Sequence, residues 1–176
     1  MKENKKNMVL VDLLSKIEKR EAVVGIIGLG YVGLPLAIHF AQEGFSVIGF
    51  DVDVRKIDML LRGESYIKHI RMEQINEKIK EGGFEVTVDF RRLREADCIL
   101  ICVPTPLTDK MEPDLSYLLD TTKSIAENLR IGQIIILEST TYPGTTEEML
   151  MPGFETDSMK VGQDYFLAFS PEREDP

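Results

Sequence analysis

Short continuous apolar runs along this chain are followed by longer segments with apolar residues at every third or fourth position. This order is typical of buried strands that alternate with amphipathic helices. The apolar runs predict strands at residues 22–27, 45–51, 86–88, 98–103, 134–137 and 165–169. The periodic segments predict helices at residues 31–43, 54–62, 72–81 and 114–129. Strands without polar alternation are buried on both faces, so we expect a parallel sheet covered by helices on each side.

One more helix is expected ahead of the first strand. Leu10, Leu13, Leu14 and Ile17 have the spacing of one helical face, which predicts a helix over residues 8–20. We therefore divide the chain into a helical extension, residues 1–21, and a single domain, residues 22–176, which is an ordinary domain length. One residue goes against the helix at 31–43: a proline past the first helical turn, here Pro35, removes a backbone hydrogen bond.

The turn between the first strand and the next helix carries three glycines, Gly28, Gly30 and Gly33. At this spacing they allow a tight turn, a close backbone approach to a pyrophosphate, and close helix–strand packing. The N–H groups at the helix N-terminus attract the phosphate charge. Asp51 ends the next apolar run, near the expected distance of about 20 residues for a ribose-binding carboxylate. Together these features predict an α/β, doubly wound, Rossmann-like fold that binds NAD rather than NADP, because a carboxylate repels a 2′-phosphate.

Polar and proline-rich loops follow the later strands, at the sheet edge where such folds bind ligands. These loops contain Val103, Pro104 and Thr105, then Ser139 and Thr140, and finally Glu172 and Arg173. Lys56, one helical turn after Asp51, either lies over the cofactor or is solvated. Asp53 is interpreted as a helix cap rather than a ligand.

Composition narrows the possible partners. The chain has 176 residues and a formal net charge of −9, which argues against a nucleic-acid or anionic-membrane surface. No apolar run reaches the roughly 20 residues of a membrane helix, and the N-terminus lacks a signal-peptide core, so we expect a cytoplasmic protein.

Cys98 and Cys102 share a strand face about 13 Å apart, too far for a disulfide, and we expect both to be buried. No metal-ligand spacing is present.

Five motifs in order resemble the UDP-glucose/GDP-mannose dehydrogenase family. They are Gly28-Leu-Gly-Tyr-Val-Gly-Leu-Pro-Leu-Ala37, Phe50-Asp-Val-Asp53, Val103-Pro-Thr-Pro106, Glu138-Ser-Thr140 and Phe169-Ser-Pro-Glu-Arg173. Ser65-Tyr-Ile-Lys-His-Ile70 and the Ser-Pro-Glu-Arg sequence are most similar to the UDP-N-acetylglucosamine 6-dehydrogenase branch. The UDP-glucose branch typically has Asn-Pro-Glu-Phe at the latter place.

The resemblance implies a role in polysaccharide biosynthesis. In this family, NAD oxidises the C6 alcohol of a UDP-sugar twice. A cysteine captures the aldehyde, the second hydride transfer gives a thioester, and water hydrolyses that thioester. It further implies that Thr140 positions the water and Glu172 acts as a base or water-orienting group. Cofactor contacts are implied for Gly28, Gly30, Tyr31, Val32, Gly33, Asp51, Val103, Pro104, Thr105, Ser139 and Thr140. Lys56 is added to these candidates because of its position one helical turn after Asp51, and not because of the resemblance.

The family's cysteine nucleophile, its sugar-binding domains and its dimerising helix belong to sequence beyond residue 176. We therefore expect an NAD-binding domain that is inactive alone, from a full-length homo-oligomer. Alternative substrates are UDP-N-acetylmannosamine, UDP-glucose and GDP-mannose. Two other classes stay open: a 6-phosphogluconate or β-hydroxyacid type dehydrogenase, which would lack the Ser-Pro-Glu-Arg sequence, and a stand-alone NAD-binding module without chemistry.

Overall fold

A computed structural model describes residues 2–68, 70, 76–79, 81–106, 113–139, 141, 144–155 and 159–171, with side chains from residue 8 onward. Its centre is a parallel six-stranded sheet in the order β3-β2-β1-β4-β5-β6. The strands are β1 (Val23–Ile27), β2 (Ser46–Phe50), β3 (Phe84–Thr87), β4 (Cys98–Ile101), β5 (Ile134–Leu137) and β6 (Phe166–Phe169). This is the strand order of doubly wound dinucleotide-binding folds, so the predicted fold class is confirmed.

Helices cover both faces of the sheet. They are α1 (Lys2–Glu18), α2 (Gly33–Gln42), α3 (Val54–Leu61), α4 (Ser116–Ala126) and α5 (Met151–Phe154), with a 3-10 helix at Phe90–Glu95 and a π-helical turn at Thr146–Leu150. Leu13, Leu34 and Ile57 pack into the core on one face. Leu118 and Leu150 pack into a second core on the other face. The strands are apolar throughout because each lies between these two cores.

Helix α1 is fastened to the sheet by a buried carboxylate. Asp97 precedes β4, and its Oδ1 lies 3.1 Å from the ammonium of Lys16 and 2.8 Å from Nη2 of Arg130. Its Oδ2 accepts the N–H of Val23 at 3.0 Å. Burial raises the pKa of Asp97, but the hydrogen bonds from Arg130, Val23 and Lys16 outweigh this and leave its pKa below the ordinary value. Together with Leu13, which is 2% exposed, this cluster packs α1 onto the sheet. The boundary at residue 21 stays a prediction.

Several helix ends differ from the predicted positions. The pattern predicts a helix from residue 31, but α2 begins at Gly33 because residues 31–32 form a turn. Pro35 is thus the third residue of α2 and lies in the first helical turn, not past it as predicted. The N–H groups of Leu34 and Leu36 donate to the carbonyls of Gly30 and Val32, so Pro35 interrupts this series by one hydrogen bond, as expected. Helix α1 ends before Arg20, which has a φ of 59°. Helix α4 ends at Ala126 rather than 129, and Arg94 donates to the carbonyl of Glu127 there.

Smaller differences concern strand ends and short helices. Val88 lies beyond β3, and the predicted fourth strand stops at Ile101. The 3-10 helix Phe90–Glu95 is too short for its apolar period to be recognised in sequence. Of the predicted helix at 72–81, residues 76–79 are helical and the others lie largely outside the described residues. Cys98 and Cys102 are both buried, as expected.

Candidate functional site

A cleft of about 1020 Å³ opens at the carboxyl ends of the strands. It lies where β1 and β4 are neighbours and the chain order reverses, which is where doubly wound folds bind their ligands. Apart from Gly33, which lies behind the loop, the described cofactor residues that the sequence predicts all line this cleft. They are Gly28, Gly30, Tyr31, Val32, Asp51, Lys56, Val103, Pro104, Thr105 and Ser139. Thr140 and Glu172, the predicted catalytic residues, lie outside the described residues.

The three loop glycines are required for different reasons. Gly28 has a φ of 91°, and a Cβ atom there would lie 2.7 Å from the carbonyl oxygen of Cys102. A Cβ atom at Gly33 would overlap the carbonyl oxygen of Gly28. A Cβ atom at Gly30, by contrast, would meet no protein atom within 4 Å. The fold itself therefore explains Gly28 and Gly33, whereas Gly30 keeps space open in the cleft and fits a group such as a pyrophosphate.

The N-terminus of α2 faces this space without a side-chain cap. Val32 occupies the N-cap position, and its side chain accepts no hydrogen bond from the helix. The first N–H groups of a helix carry partial positive charge, and they attract an anion where no side chain satisfies them.

Asp51 joins β2 to the glycine loop. The side chain is buried, and its Oδ2 accepts the N–H of Leu29 at 2.9 Å and the ammonium of Lys56 at 2.8 Å. Its Oδ1 accepts the N–H of Asp53 at 2.9 Å. A carboxylate offers about four acceptor positions, so these three donors leave room for one more, on Oδ1. Asp51 therefore has capacity for a single ribose hydroxyl.

Lys56 is bound to neighbouring side chains and also lines the cleft, so it is not a purely solvated side chain. Its ammonium pairs with Asp51, and it lies 5.8 Å from the ring centre of Tyr66 while still lining the cleft. An ammonium has three donors, so Lys56 can bind Asp51 and a ligand oxygen at once. Asp53 caps α3, as predicted: its Oδ1 accepts the N–H of Arg55 at 3.0 Å. The Arg55 guanidinium lowers the pKa of Asp53 to about 2.

Tyr66 lines the cleft, and the sequence predicts no role for it. Its hydroxyl donates to the carbonyl oxygen of Leu29 at 2.6 Å. Burial, followed by the charges of Asp51 and Asp53, raises the pKa of Tyr66, so the hydroxyl keeps its proton. Its place in Ser65–Ile70 gave no signal for this contact, because the two partners are 37 positions apart.

The part of the cleft farther from Asp51 is formed by the carboxyl ends of β4, β5 and β6. The Ser139 hydroxyl lies 3.1 Å from the carbonyl oxygen of Ile101 and 2.9 Å from that of Val103. It therefore ties the β4 loop to β5 and keeps acceptor capacity for a ligand. Ser170 donates to Oε1 of Glu138 at 2.9 Å, which links β5 to β6 beside the cleft. Glu138 is a second lining residue without a predicted role.

Exposed apolar side chains surround the mouth of the cleft beside Asp51. Val52 is 76% exposed, Tyr117 47% and Val88 46%, and all three line the cleft. Arg91 also lines the cleft, and its guanidinium donates to Asp89 through hydrogen bonds of 2.8 and 2.7 Å. Apolar walls with a few polar groups suit a flat heteroaromatic ring.

Comparisons with known proteins agree with this geometry. The sequence model of the UDP-glucose/GDP-mannose dehydrogenase family, NAD binding domain, matches residues 22–176. UDP-N-acetyl-D-glucosamine 6-dehydrogenase of Salmonella typhi is 37% identical over 158 residues, 89% of this chain and 36% of that protein. UDP-N-acetyl-D-mannosamine dehydrogenase of Pyrococcus horikoshii is 36% identical over 154 residues, 85% of this chain and 36% of that protein. A ternary complex of GDP-mannose dehydrogenase from Pseudomonas aeruginosa superposes with a TM-score of 0.80 at 31% identity, covering 85% of this chain and 36% of that one.

The doubly wound sheet and the glycine-loop cleft define a dinucleotide-binding domain. The chain belongs to the UDP-glucose/GDP-mannose dehydrogenase family and corresponds to its NAD-binding domain. It spans about 36% of the length of the relatives it matches. In the described part of the chain, no helix has the length and apolarity needed to cross a membrane.

Proposed function

We propose that this chain is the NAD-binding part of an enzyme that oxidises the C6 hydroxyl of a UDP-sugar to a carboxylate. The observation that carries the proposal is the cleft at the β1–β4 switch point, with open space at Gly30 beside Asp51. When bound, NAD supplies the hydride acceptor for each oxidation. The enzyme would be cytoplasmic and homo-oligomeric, and would serve polysaccharide synthesis.

The adenosine end of the cofactor would lie across β2 and β3. Backbone N–H groups at Gly30, Tyr31 and Val32, with the N-terminus of α2, would hold the pyrophosphate. Asp51 would accept one ribose hydroxyl on Oδ1, and Lys56 would donate to a second ribose oxygen. The apolar residues at the cleft mouth would take the adenine ring. They are Val52, Val88 and Tyr117.

The nicotinamide end would lie against the loops after β4 and β5. Val103, Pro104 and Thr105 would border the ring, and Ser139 would hold this loop in place. Thr140 would position the hydrolytic water, and Glu172 would act as base or orient that water. Both flank the Glu138–Ser170 pair in sequence, which supports a common location at the carboxyl ends of β5 and β6.

The two cysteines of this chain do not suit the nucleophilic step. Cys98 lies inside β4, and burial, followed by the charge of Asp97, raises the pKa of its thiol to about 11. A thiol with a raised pKa holds little of the reactive thiolate at neutral pH. Cys102 is also buried. We therefore propose that residues 1–176 bind NAD and do not oxidise a sugar by themselves.

UDP-N-acetylglucosamine is the favoured sugar because of the Ser65–Ile70 and Ser-Pro-Glu-Arg sequences. The match to the UDP-N-acetyl-D-mannosamine dehydrogenase is nearly as strong as that to the UDP-N-acetyl-D-glucosamine enzyme. UDP-N-acetylmannosamine is thus the main alternative, ahead of UDP-glucose and GDP-mannose.

Two experiments test the proposal. The first follows NADH absorbance when this chain is mixed with NAD and UDP-N-acetylglucosamine. We expect no NADH to form, and sustained NADH production would refute the proposal that residues 1–176 do not oxidise a sugar by themselves. The second reads the coding sequence after Pro176. A Gly-Gly-x-Cys segment there, the type of segment that carries the family's cysteine nucleophile, supports the dehydrogenase, whereas an immediate stop codon favours a stand-alone NAD-binding module.

A further inference from the structure

The backbone of Leu29, inside the glycine loop, is held from two sides. Its N–H donates to Oδ2 of Asp51 at 2.9 Å, and its carbonyl oxygen accepts the hydroxyl of Tyr66 at 2.6 Å. The Leu29 side chain is fully buried. The bond to Asp51 ties the loop to β2, whereas the bond to Tyr66 ties it to the segment after α3.

The contact with Tyr66 controls one particular peptide group. The carbonyl of Leu29 and the N–H of Gly30 belong to the same planar trans peptide, so they point in opposite directions. Fixing the carbonyl toward Tyr66 therefore fixes the Gly30 N–H on the other side. In the described part of the chain, no backbone oxygen accepts that N–H.

The orientation of the Leu29–Gly30 peptide must be fixed by a contact from outside the loop, because the glycines at positions 28 and 30 allow this peptide to rotate. Gly28 already has a positive φ, and Gly30 has no Cβ atom to restrict its rotation. If the peptide turned over, the carbonyl oxygen would take the place of the N–H. An anionic phosphate would then face a partial negative charge instead of a donor.

We propose that Tyr66 is a positioning residue for the pyrophosphate of NAD, acting through the Leu29–Gly30 peptide; this rests on the proposed function. In this role, the Tyr66 hydroxyl keeps the Gly30 N–H available to a phosphate bound in the space that Gly30 leaves open. Tyr66 itself touches no reacting atom.

The surroundings of Tyr66 suit this role. Ser65 accepts the N–H of Ile67 at 3.0 Å and donates to its carbonyl, which forms a tight turn around Tyr66. Ile67 is buried in the core and anchors the segment. The raised pKa of Tyr66 keeps its hydroxyl a donor throughout the pH range in which the protein would be assayed.

The test replaces only the hydroxyl, through Tyr66→Phe, and measures affinity by calorimetry for NAD and for adenosine. Adenosine carries the base and ribose but no phosphate. We expect NAD to bind about tenfold more weakly, the size of effect of one lost hydrogen bond, and adenosine to bind as to the parent chain. Tyr165→Phe is the matched control, because it removes a buried tyrosine hydroxyl that has no partner in the described residues. A second variant, with 4-aminophenylalanine at position 66, restores an N–H donor and should recover NAD affinity.

The outcomes separate this inference from the function on which it rests. If the parent chain binds no NAD, both are overturned. If the parent binds NAD and Tyr66→Phe binds it equally well, the role of Tyr66 alone is overturned. Equal weakening of NAD and adenosine, or no recovery with 4-aminophenylalanine, indicates a structural role only and also contradicts the inference.

Discussion

The N–H of Leu29 lies 2.9 Å from Oδ2 of Asp51, so a hydrogen bond joins the glycine loop to the acidic residue that ends β2. These two features are far apart in sequence, yet they form one unit. Asp51 therefore shapes the loop as well as offering an acceptor to the ribose. Its substitution should affect both the stability of the domain and its choice of cofactor.

Asp51→Asn should weaken NAD binding and reduce the preference for NAD over NADP, because the negative charge that repels a 2′-phosphate is lost. It should also lower the free energy of unfolding by about 1–3 kcal/mol, since Asp51 is buried and its bonds are charge-assisted. Calorimetry with both cofactors and urea unfolding measure these effects.

The matched control is Asp58→Asn, which removes one negative charge from the exposed face of α3. It should leave the NAD-to-NADP ratio unchanged. An equal change in both variants would mean that net charge, and not the position of Asp51, sets the preference.

Gly30→Ala should weaken NAD binding without destabilising the fold, whereas Gly33→Ala should destabilise the fold. The added methyl at Gly30 meets no protein atom, so the melting temperature should stay close to that of the parent while NAD affinity falls at least about tenfold. The methyl at Gly33 overlaps the Gly28 carbonyl, and we expect a loss of about 2 kcal/mol or more in unfolding free energy. Thermal melts and calorimetry on both variants check this. Normal NAD binding by a stable Gly30→Ala protein would contradict the assignment of the phosphate space.

The cluster around Asp97 should make α1 sensitive to acid. Because the pKa of Asp97 is lowered in the folded state, the unfolded chain binds more protons as the pH falls. The stabilisation is therefore complete above the ordinary aspartate pKa of about 3.9, and it is lost as the pH drops through the lower folded-state value. Asp97→Asn should cost about 2 kcal/mol at neutral pH, and its difference from the parent should shrink below pH about 4.

Urea unfolding at a series of pH values measures that difference. Asp12→Asn is the control, since Asp12 also pairs with Lys16, at 3.6 Å, but is largely exposed. Exposed pairs contribute little, so its effect should stay below about 0.5 kcal/mol. A pH-independent cost for Asp97→Asn would show that its charge is not what stabilises the fold.

The sequence was sufficient to predict the parallel sheet and ten of the residues that line the cleft. Strand β5 and the glycine loop follow from local patterns, because an uninterrupted apolar run and three spaced glycines each have few structural solutions. Asp51 follows from its distance to the loop. The ends of α2 and α4 were less predictable, since they depend on a turn at residues 31–32 and on Arg94, which reaches α4 from another element.

The contacts that organise the site could not be predicted from sequence. Tyr66 reaches Leu29 across 37 positions, Ser139 reaches Val103 across 36, and Lys16 reaches Asp97 across 81. Such bonds depend on how elements pack, and a single sequence carries no periodic signal for them. Most of these residues bind the backbone of a neighbouring element, which explains why they look ordinary in the sequence.

Calorimetric titration of residues 1–176 with NAD and, in parallel, with NADP tests the central claim most directly. We predict saturable binding of one NAD per chain, with NADP at least about tenfold weaker because of Asp51. Absence of NAD binding by the folded chain, or tighter binding of NADP, would contradict the account.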